Sequence, residues 1–179
     1  MAFITSEGGE ELLKLAKLYE TQLNELYMNT IYQERFKYFN YSNYSNYDVE
    51  LKNDSWNELE FVSVDKEDNV IGFLAAKIDR VSDHVSSLKI INFYDINITF
   101  SRDFHQFLND LFIKFNFRKI CFSVLVGNPA ETMYDKYINK YNGRVVGTYK
   151  DDVRLFDGKY YDCKAYEIFK SDYLNAIKM

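Results

Sequence analysis

A buried strand that leads directly into a capped helix restricts the fold of this chain more than any other feature of its sequence. Residues 120–126 form a short apolar run rich in β-branched and aromatic side chains, which is typical of a strand buried on both faces. Asn128 then occupies a helix N-cap position, Pro129 the first helical position, and Glu131 follows the cap by three residues. One face of the following helix is apolar and carries Ala130, Met133, Tyr134, Tyr137, Ile138 and Tyr141. We therefore predict a strand–helix unit packed in an α/β sheet.

The other apolar patterns predict two helices, three strands, and then alternating helices and strands. The first predicted helix is capped at Ser6 and has its apolar residues over 12–26; a second covers residues 30–36, and a third follows a cap at Ser101. The predicted strands are 3–4, 58–64, 70–78, 88–100, 144–149 and 160–169. A mixed sheet of six to seven strands with helices on both faces, an α/β fold, accommodates this order. Strand–helix–strand units need right-handed crossovers, whereas hairpins pair antiparallel. At 179 residues, we expect a single domain over residues 1–179.

Charge and cysteine usage restrict the partners and the location. The formal net charge of -5 argues against a nucleic-acid partner, because that affinity depends on clustered Lys and Arg. Cys121 and Cys163 fall in predicted strands without metal-ligand spacing, so we expect reduced thiols in a cytoplasmic protein. Acidic Glu7 and Glu10 near the start do not fit a signal peptide, and no apolar run approaches the roughly 18 residues that cross a bilayer. We expect no membrane partner.

Other catalytic chemistries find little support in the sequence. No histidines and acids have the spacing of a metal site, and no Ser or Cys stands in a nucleophile elbow. His84 lies in a polar connection between predicted strands, where we expect it to be solvated. We therefore expect neither a metal ion nor a covalent intermediate.

The order of elements, together with three segments, resembles the Gcn5-related N-acetyltransferase family. The segments are the hairpin end at 70–73, the strand–helix join at 128–134, and the closing stretches 143–147, 157–162 and 166–168. The resemblance implies that acetyl-coenzyme A lies in a cleft between the fourth strand, 88–100, and the fifth strand, 120–126. It also implies that an amine attacks the thioester carbonyl directly.

Several residues acquire roles from this resemblance. Tyr134 matches the tyrosine that protonates the departing thiolate, a role for which a phenol is suited because its pKa is near that of a thiol. Tyr137, one turn later, competes for the same role, and both residues also fit a purely structural place in the apolar face of the helix. Asn128 is both a helix cap and a hydrogen-bond partner near the cofactor. Asp95, on the predicted fourth strand, is the best candidate for a water-relayed base.

The largest departure from the family concerns the pyrophosphate loop. Family members usually carry Arg or Gln, two residues, Gly, one residue, then Gly or Ala, so that bare amides cradle the pyrophosphate at a helix N-terminus. Here Arg102 takes the Arg position in residues 101–107, and His105 and Phe107 take the positions of the small residues. The predicted cofactor contacts are Asn97, Ile98, Arg102, His105 and Asn128.

Two functions of different classes follow from these patterns. The first is an acyl-CoA-dependent N-acyltransferase, most simply an N-acetyltransferase, whose acceptor is a small amine, a peptide N-terminus or a lysine side chain. The second, suggested by the missing glycines, is a catalytically inactive binding domain that keeps the scaffold without coenzyme A and has its cleft closed by Phe104 or Phe107. Residues 40–47, rich in Tyr and Asn, are either a flexible loop or a wall of the acceptor pocket. Pairing of exposed strands would give a homodimer.

Overall fold

The computed structural model describes residues 13–31, 33–39, 49–52, 56–95 and 97–178. The predictions for the strand at 3–4, for the helix cap at Ser6 and for the loop or pocket wall at 40–47 lie outside these residues. The strands are β1 Leu13–Leu15, β2 Glu58–Val64, β3 Val70–Asp79, β4 His84–Asn92, β5 Lys119–Leu125, β6 Arg144–Arg154 and β7 Tyr160–Phe169. The helices are α1 Glu20–Thr30, α2 Ile98–Ile113, α3 Ala130–Lys140 and α4 Lys170–Ile177, with 3-10 turns at Ala16–Tyr19 and Glu34–Phe36.

These strands form one seven-stranded mixed sheet in the order β1-β2-β3-β4-β5-β7-β6. Every neighbouring pair is antiparallel except β4 and β5, which are parallel and connected through α2. Parallel neighbours need a crossover, and the helical segment between them supplies it. The predicted α/β fold with a mixed sheet is therefore confirmed.

The two parallel strands at the centre of the sheet separate soon after they meet. Only His84 with Lys119 and Val85 with Ile120 are paired across them. Beyond this point β4 stays paired with β3 as far as Asn92, while β5 stays paired with β7 along its whole length, from Lys119 to Leu125. Each strand follows its antiparallel neighbour, so a gap opens between their carboxyl ends.

The core has one apolar layer on each face of the sheet. One layer holds the buried face of α2, which includes Phe104, Phe107 and Phe112, together with side chains of α3 and α4. Burial of each such ring stabilises the fold by about 1.5–3 kcal/mol. The opposite layer contains Leu23 and Tyr27 of α1 and the 3-10 residue Phe36. The predicted helices on both faces are thus present.

Several element boundaries differ from those predicted. The helix predicted at 12–26 begins only at Glu20, because Leu13–Leu15 pairs antiparallel with β2 and extends the sheet. The helix predicted at 30–36 is reduced to the 3-10 turn Glu34–Phe36. β6 continues to Arg154, past a register shift between Tyr149 and Val153. His84 opens β4 and is partly buried, so the expectation that it is solvated is wrong.

The strand predicted at 88–100 is wrong at its carboxyl end. β4 ends at Asn92, and α2 begins at Ile98. The Asn97 side chain accepts a hydrogen bond of 3.0 Å from the backbone N–H of Phe100, so Asn97 is the N-cap of α2. The helix predicted to follow a cap at Ser101 therefore starts one turn earlier. No helix in the described part of the chain is long and apolar enough to cross a membrane.

Candidate active site

A cavity of about 380 Å³ lies where β4 and β5 diverge. Its walls come from both apolar layers: Ile90, Phe100, Phe104 and Tyr134 belong to the layer of α2, and Phe36 and Phe39 to the layer of α1. The cavity therefore extends through the gap in the sheet and connects its two faces. A small substrate held on one face can meet a second substrate held on the other.

The N-termini of two helices border this cavity. Asn97 and Ser101 line it from the start of α2, and Asn128, Pro129 and Ala130 line it from the start of α3. The positive ends of both helix dipoles favour an anion, by about 0.3–1 kcal/mol for each dipole at an exposed site. The N–H groups of Phe100, Ala130 and Glu131 are already bonded to Asn97 and Asn128, so the dipoles carry this preference. The cleft thus offers two adjacent positions suited to phosphate oxygens or a developing negative charge.

The start of α3 is organised by the residues that the sequence identified. Asn128 Oδ1 accepts a 2.9 Å hydrogen bond from the N–H of Ala130, and Glu131 Oε2 accepts one of 3.0 Å from the N–H of Gly127. Gly127 has a φ of 91°, a conformation that glycine adopts without steric cost. Pro129 has helical dihedral angles, with φ -52° and ψ -28°. The predicted capping by Asn128 is confirmed. The Glu131 carboxylate bonds to the backbone of Gly127, one residue before the cap.

Tyr134 contributes a phenol to the wall of the cavity. Its side chain is 7% exposed and packs edge-on to Phe122, with ring centroids 5.2 Å apart. Burial raises the pKa of Tyr134 above its ordinary value. The phenol therefore keeps its proton at neutral pH and is a neutral hydrogen-bond donor on the wall of the cavity.

Tyr137 has a different environment, although it lies one turn later on the same helix. It is buried against Phe104 and His105, with ring centroids at 5.1 and 4.6 Å, and it does not line the cavity. Its hydroxyl is buried without a hydrogen-bond partner among the described residues, and burial raises its pKa. Of the two tyrosines, only Tyr134 faces the cleft.

Asp95 lies at the mouth of the cavity in the bend after β4, not on a strand. Its carboxylate is 85% exposed and accepts a 2.6 Å hydrogen bond from Nη1 of Arg35. Nη2 of the same guanidinium donates to the carbonyl of Phe93 at 2.7 Å. Arg35 therefore joins the 3-10 turn on one side of the mouth to the β4–α2 connection on the other, and it pairs with the only acid that lines the cavity among the described residues.

The other predicted cofactor residues are divided by the structure. Asn97 and Asn128 line the cavity, whereas Ile98, Arg102 and His105 do not. Arg102 is 64% exposed, beside Asp103, and His105 packs on Tyr137 with its pKa lowered by burial and by Lys140. Both belong to α2, so the prediction that residues 101–107 form the pyrophosphate loop is wrong. The connection between β4 and α2 is residues 93–97, and it contains no glycine.

The described residues contain no group of three or more His, Cys, Asp or Glu side chains that could hold a metal ion. An ionic cluster lies beside Tyr134 and is centred on Asp135, the next residue of α3. Lys164 of β7 donates to both oxygens of Asp135, at 2.7 and 2.9 Å, and the Tyr166 hydroxyl donates to Asp135 Oδ1 at 2.8 Å. This cluster fixes α3 on the sheet and thereby the position of Tyr134.

A mixed sheet that opens between parallel fourth and fifth strands, followed by a capped helix with an inward tyrosine, is the architecture of the Gcn5-related N-acetyltransferases. This chain has that fold, and the resemblance seen in its sequence is confirmed.

Comparison with solved structures points to polyamine acetyltransferases as similar proteins. The spermidine N-acetyltransferase of Vibrio cholerae, solved in complex with CoA and spermine, shares 22% identity with a TM-score of 0.71; the match covers 93% of this chain and 100% of that one. A chimera of the Vibrio cholerae enzyme SpeG with hSSAT shares 27% identity over 68% of this chain and 70% of that one, with a TM-score of 0.56. No family model matches the sequence, and no curated protein matches it.

Proposed function

We propose that this protein is an acyl-CoA-dependent N-acyltransferase that moves an acetyl group from acetyl-CoA to a primary amine. The observation that carries the proposal is the cavity between β4 and β5, bordered by two helix N-termini and by Tyr134. The helix N-termini suit the phosphates of coenzyme A, and the gap in the sheet suits a thioester that must be reached from the other face. The 27% identical SpeG chimera, named as a spermidine N-acetyltransferase, supports the same class of reaction.

The residues around the cavity suggest which bonds form and break and which groups donate and accept the protons. The amine nitrogen forms a bond to the acetyl carbonyl carbon, and the carbon–sulfur bond then breaks. Tyr134, which lines the cavity and is protonated at neutral pH, donates its phenolic proton to the departing sulfur. Before attack, the incoming alkylammonium loses one proton to water, and Asp95 is the carboxylate that lines the cavity among the described residues. After attack, the nitrogen carries a positive charge and transfers a second proton to the Tyr134 phenolate, which leaves the neutral amide and restores the phenol.

The missing glycines leave a second candidate function to be weighed, an inactive domain that does not bind coenzyme A. Its cleft was expected to be closed by Phe104 or Phe107. Phe104 lines a cavity of about 380 Å³ without filling it, and Phe107 packs elsewhere, 6.0 Å from the ring of Phe61. An open cavity of this size favours the enzyme over the inactive binding domain with a closed cleft.

Calorimetric titration with coenzyme A and acetyl-CoA tests the proposal. We expect one site per chain, and release of free thiol when a primary amine is added with acetyl-CoA. Absence of heat at millimolar cofactor would overturn the proposal and favour the binding domain. Binding without thiol release by any amine would retain the cofactor site and reject the reaction.

Two further properties belong to this proposal. A cytoplasmic location is supported by Cys121 and Cys163, both of which are free thiols. A homodimer is supported by β6, an edge strand in which ten of eleven residues are exposed. Light scattering at several protein concentrations tests the dimer, and a monomeric mass throughout would exclude it.

A further inference from the structure

The two ends of the active-site cavity differ in chemistry. On the α2 side it is bordered by the helix N-termini and by polar Asn97, Ser101 and Asn128. On the α1 side it is bordered by the 3-10 turn that carries Arg35 and Phe36, and by Phe39. Because the polar end suits phosphates, the acceptor amine must reach the thioester from the end that Phe36 and Phe39 form.

The acceptor end is mainly aromatic. Phe36, 3% exposed, packs with Phe39 at a ring-centroid distance of 6.1 Å, and Tyr94, 48% exposed, also lines the cavity from the β4–α2 connection. Aromatic walls contribute through the apolar area that they remove from water and through ring–ring contacts of about 0.5–1.5 kcal/mol. A substrate with a flat apolar body would gain from this end of the cavity.

The part of the chain that the structure describes places one acid and one base at this end of the cavity. Among the described residues that line the cavity, Arg35 and Asp95 are the only ionised side chains, and they pair at 2.6 Å. The Asp95 carboxylate is therefore already partnered by a guanidinium that is itself held by the Phe93 carbonyl at 2.7 Å. A polyamine brings further ammonium groups, each of which needs a carboxylate or water in place of its lost hydration.

We infer that the acceptor is a primary amine on an aromatic body, an arylalkylamine with a single positive charge, and that Arg35 excludes polyamines by occupying Asp95. This inference rests on the proposed function. It distinguishes the substrate of this chain from that of the structurally similar Vibrio cholerae protein, which was crystallised with spermine and is named as a spermidine N-acetyltransferase. Arg35 acts here as a specificity residue: it sets the net charge of the mouth without touching the thioester.

Steady-state acetylation of 2-phenylethylamine, ethylamine and spermidine by the full chain tests the inference. We expect kcat/KM for 2-phenylethylamine to exceed that for each of the other two amines by at least tenfold. Ethylamine controls for the reactive group without the ring. Preference for spermidine or equal use of the three amines would overturn the inference while leaving the acetyltransferase proposal intact. Failure to acetylate any amine would instead reject the proposed function.

The variant Arg35→Gln tests the role of the ion pair. It frees the Asp95 carboxylate, so the ratio of kcat/KM for spermidine to that for 2-phenylethylamine should rise about fivefold. Adding Asp95→Asn to Arg35→Gln should return the ratio to the wild-type value. If Asp95 also acts as a base, its loss lowers kcat/KM for both amines alike and leaves their ratio unchanged. Far-UV circular dichroism checks that each variant is folded. An unchanged ratio in Arg35→Gln would contradict the role of Arg35.

Discussion

The ring of Phe100 lies directly on the backbone of Gly72. A Cβ atom built on Gly72 would lie 2.1 Å from Cε2 and 2.2 Å from Cδ2 of Phe100, and 3.0 Å from the carbonyl oxygen of Ile91. Gly72 is on β3, and Phe100 is in the first turn of α2 and lines the cavity. The absence of a side chain at Gly72 therefore lets the N-terminus of α2 approach the sheet beside the cleft.

Gly72→Ala should move Phe100 and with it the start of α2. Overpacking of this kind costs typically 1–3 kcal/mol, so we expect a loss of that size in the free energy of unfolding, measured by urea denaturation. Calorimetry should also show weaker binding of coenzyme A. Gly147→Ala is the matched control, because no atom of the described residues other than Gly147 and its chain neighbours lies within 4 Å of the added Cβ. A Gly72→Ala protein as stable as wild type would show that the ring has space to move.

Tyr134→Phe should lower kcat for acetylation by about a hundredfold or more, the range in which general acids contribute, with little change in the KM for acetyl-CoA. Removing only the hydroxyl preserves the ring contacts with Phe122 and Phe104. Tyr137→Phe provides the comparison, since it removes a buried hydroxyl that has no partner among the described residues and lies outside the cavity. We expect it to keep its turnover and to be at least as stable as wild type. Equal turnover in the two variants would remove Tyr134 from the mechanism.

Asp103 should make the stability of the protein depend on pH. Its side chain is 5% exposed and accepts a 2.5 Å hydrogen bond from the Ser63 hydroxyl; burial raises the pKa of Asp103 despite this bond and the nearby Arg102. A raised pKa means that the charged form is penalised in the folded state. The penalty is fully present above the folded-state pKa and disappears as the pH falls below the unfolded value of about 3.9.

Asp103→Asn should therefore unfold at higher urea concentration than wild type at pH 7, and the advantage should shrink as the pH falls toward 4. Asparagine retains an acceptor for Ser63 and carries no charge. Ser63→Ala is the opposite control, because it leaves the carboxylate without its donor and should destabilise most at neutral pH. An advantage of Asp103→Asn that is constant across this range would rule out ionisation as its cause.

Local signals in the sequence were sufficient to predict the strand–helix join, but they were insufficient to predict the mouth of the cavity. Asn128, Pro129 and Glu131 are adjacent in the chain, so capping and the inward face of α3 could be derived from spacing alone. Residues 88–100 contain aromatic and β-branched side chains throughout, and their composition did not distinguish strand from the first turn of a helix capped by Asn97. Arg35 and Asp95 are 60 positions apart, and only tertiary structure brings them together.

Lys164 and Asp135 should stabilise the protein together, because they join β7 to α3 beside Tyr134. Hydrogen bonding from Lys164, and also from Tyr166, lowers the pKa of Asp135. Since Asp135 is 41% exposed, solvent screens the pair, and we expect a coupling of about 1 kcal/mol at pH 7 in a double-mutant cycle of Lys164→Met and Asp135→Asn.

A depressed pKa of Asp135 contributes stability above the unfolded-state pKa of about 3.9, and this stability is lost as the pH falls through the folded-state pKa. The coupling should therefore disappear between pH 4 and pH 2 in urea denaturation. A coupling that persists at pH 2 would show that the two side chains interact through packing and not through charge.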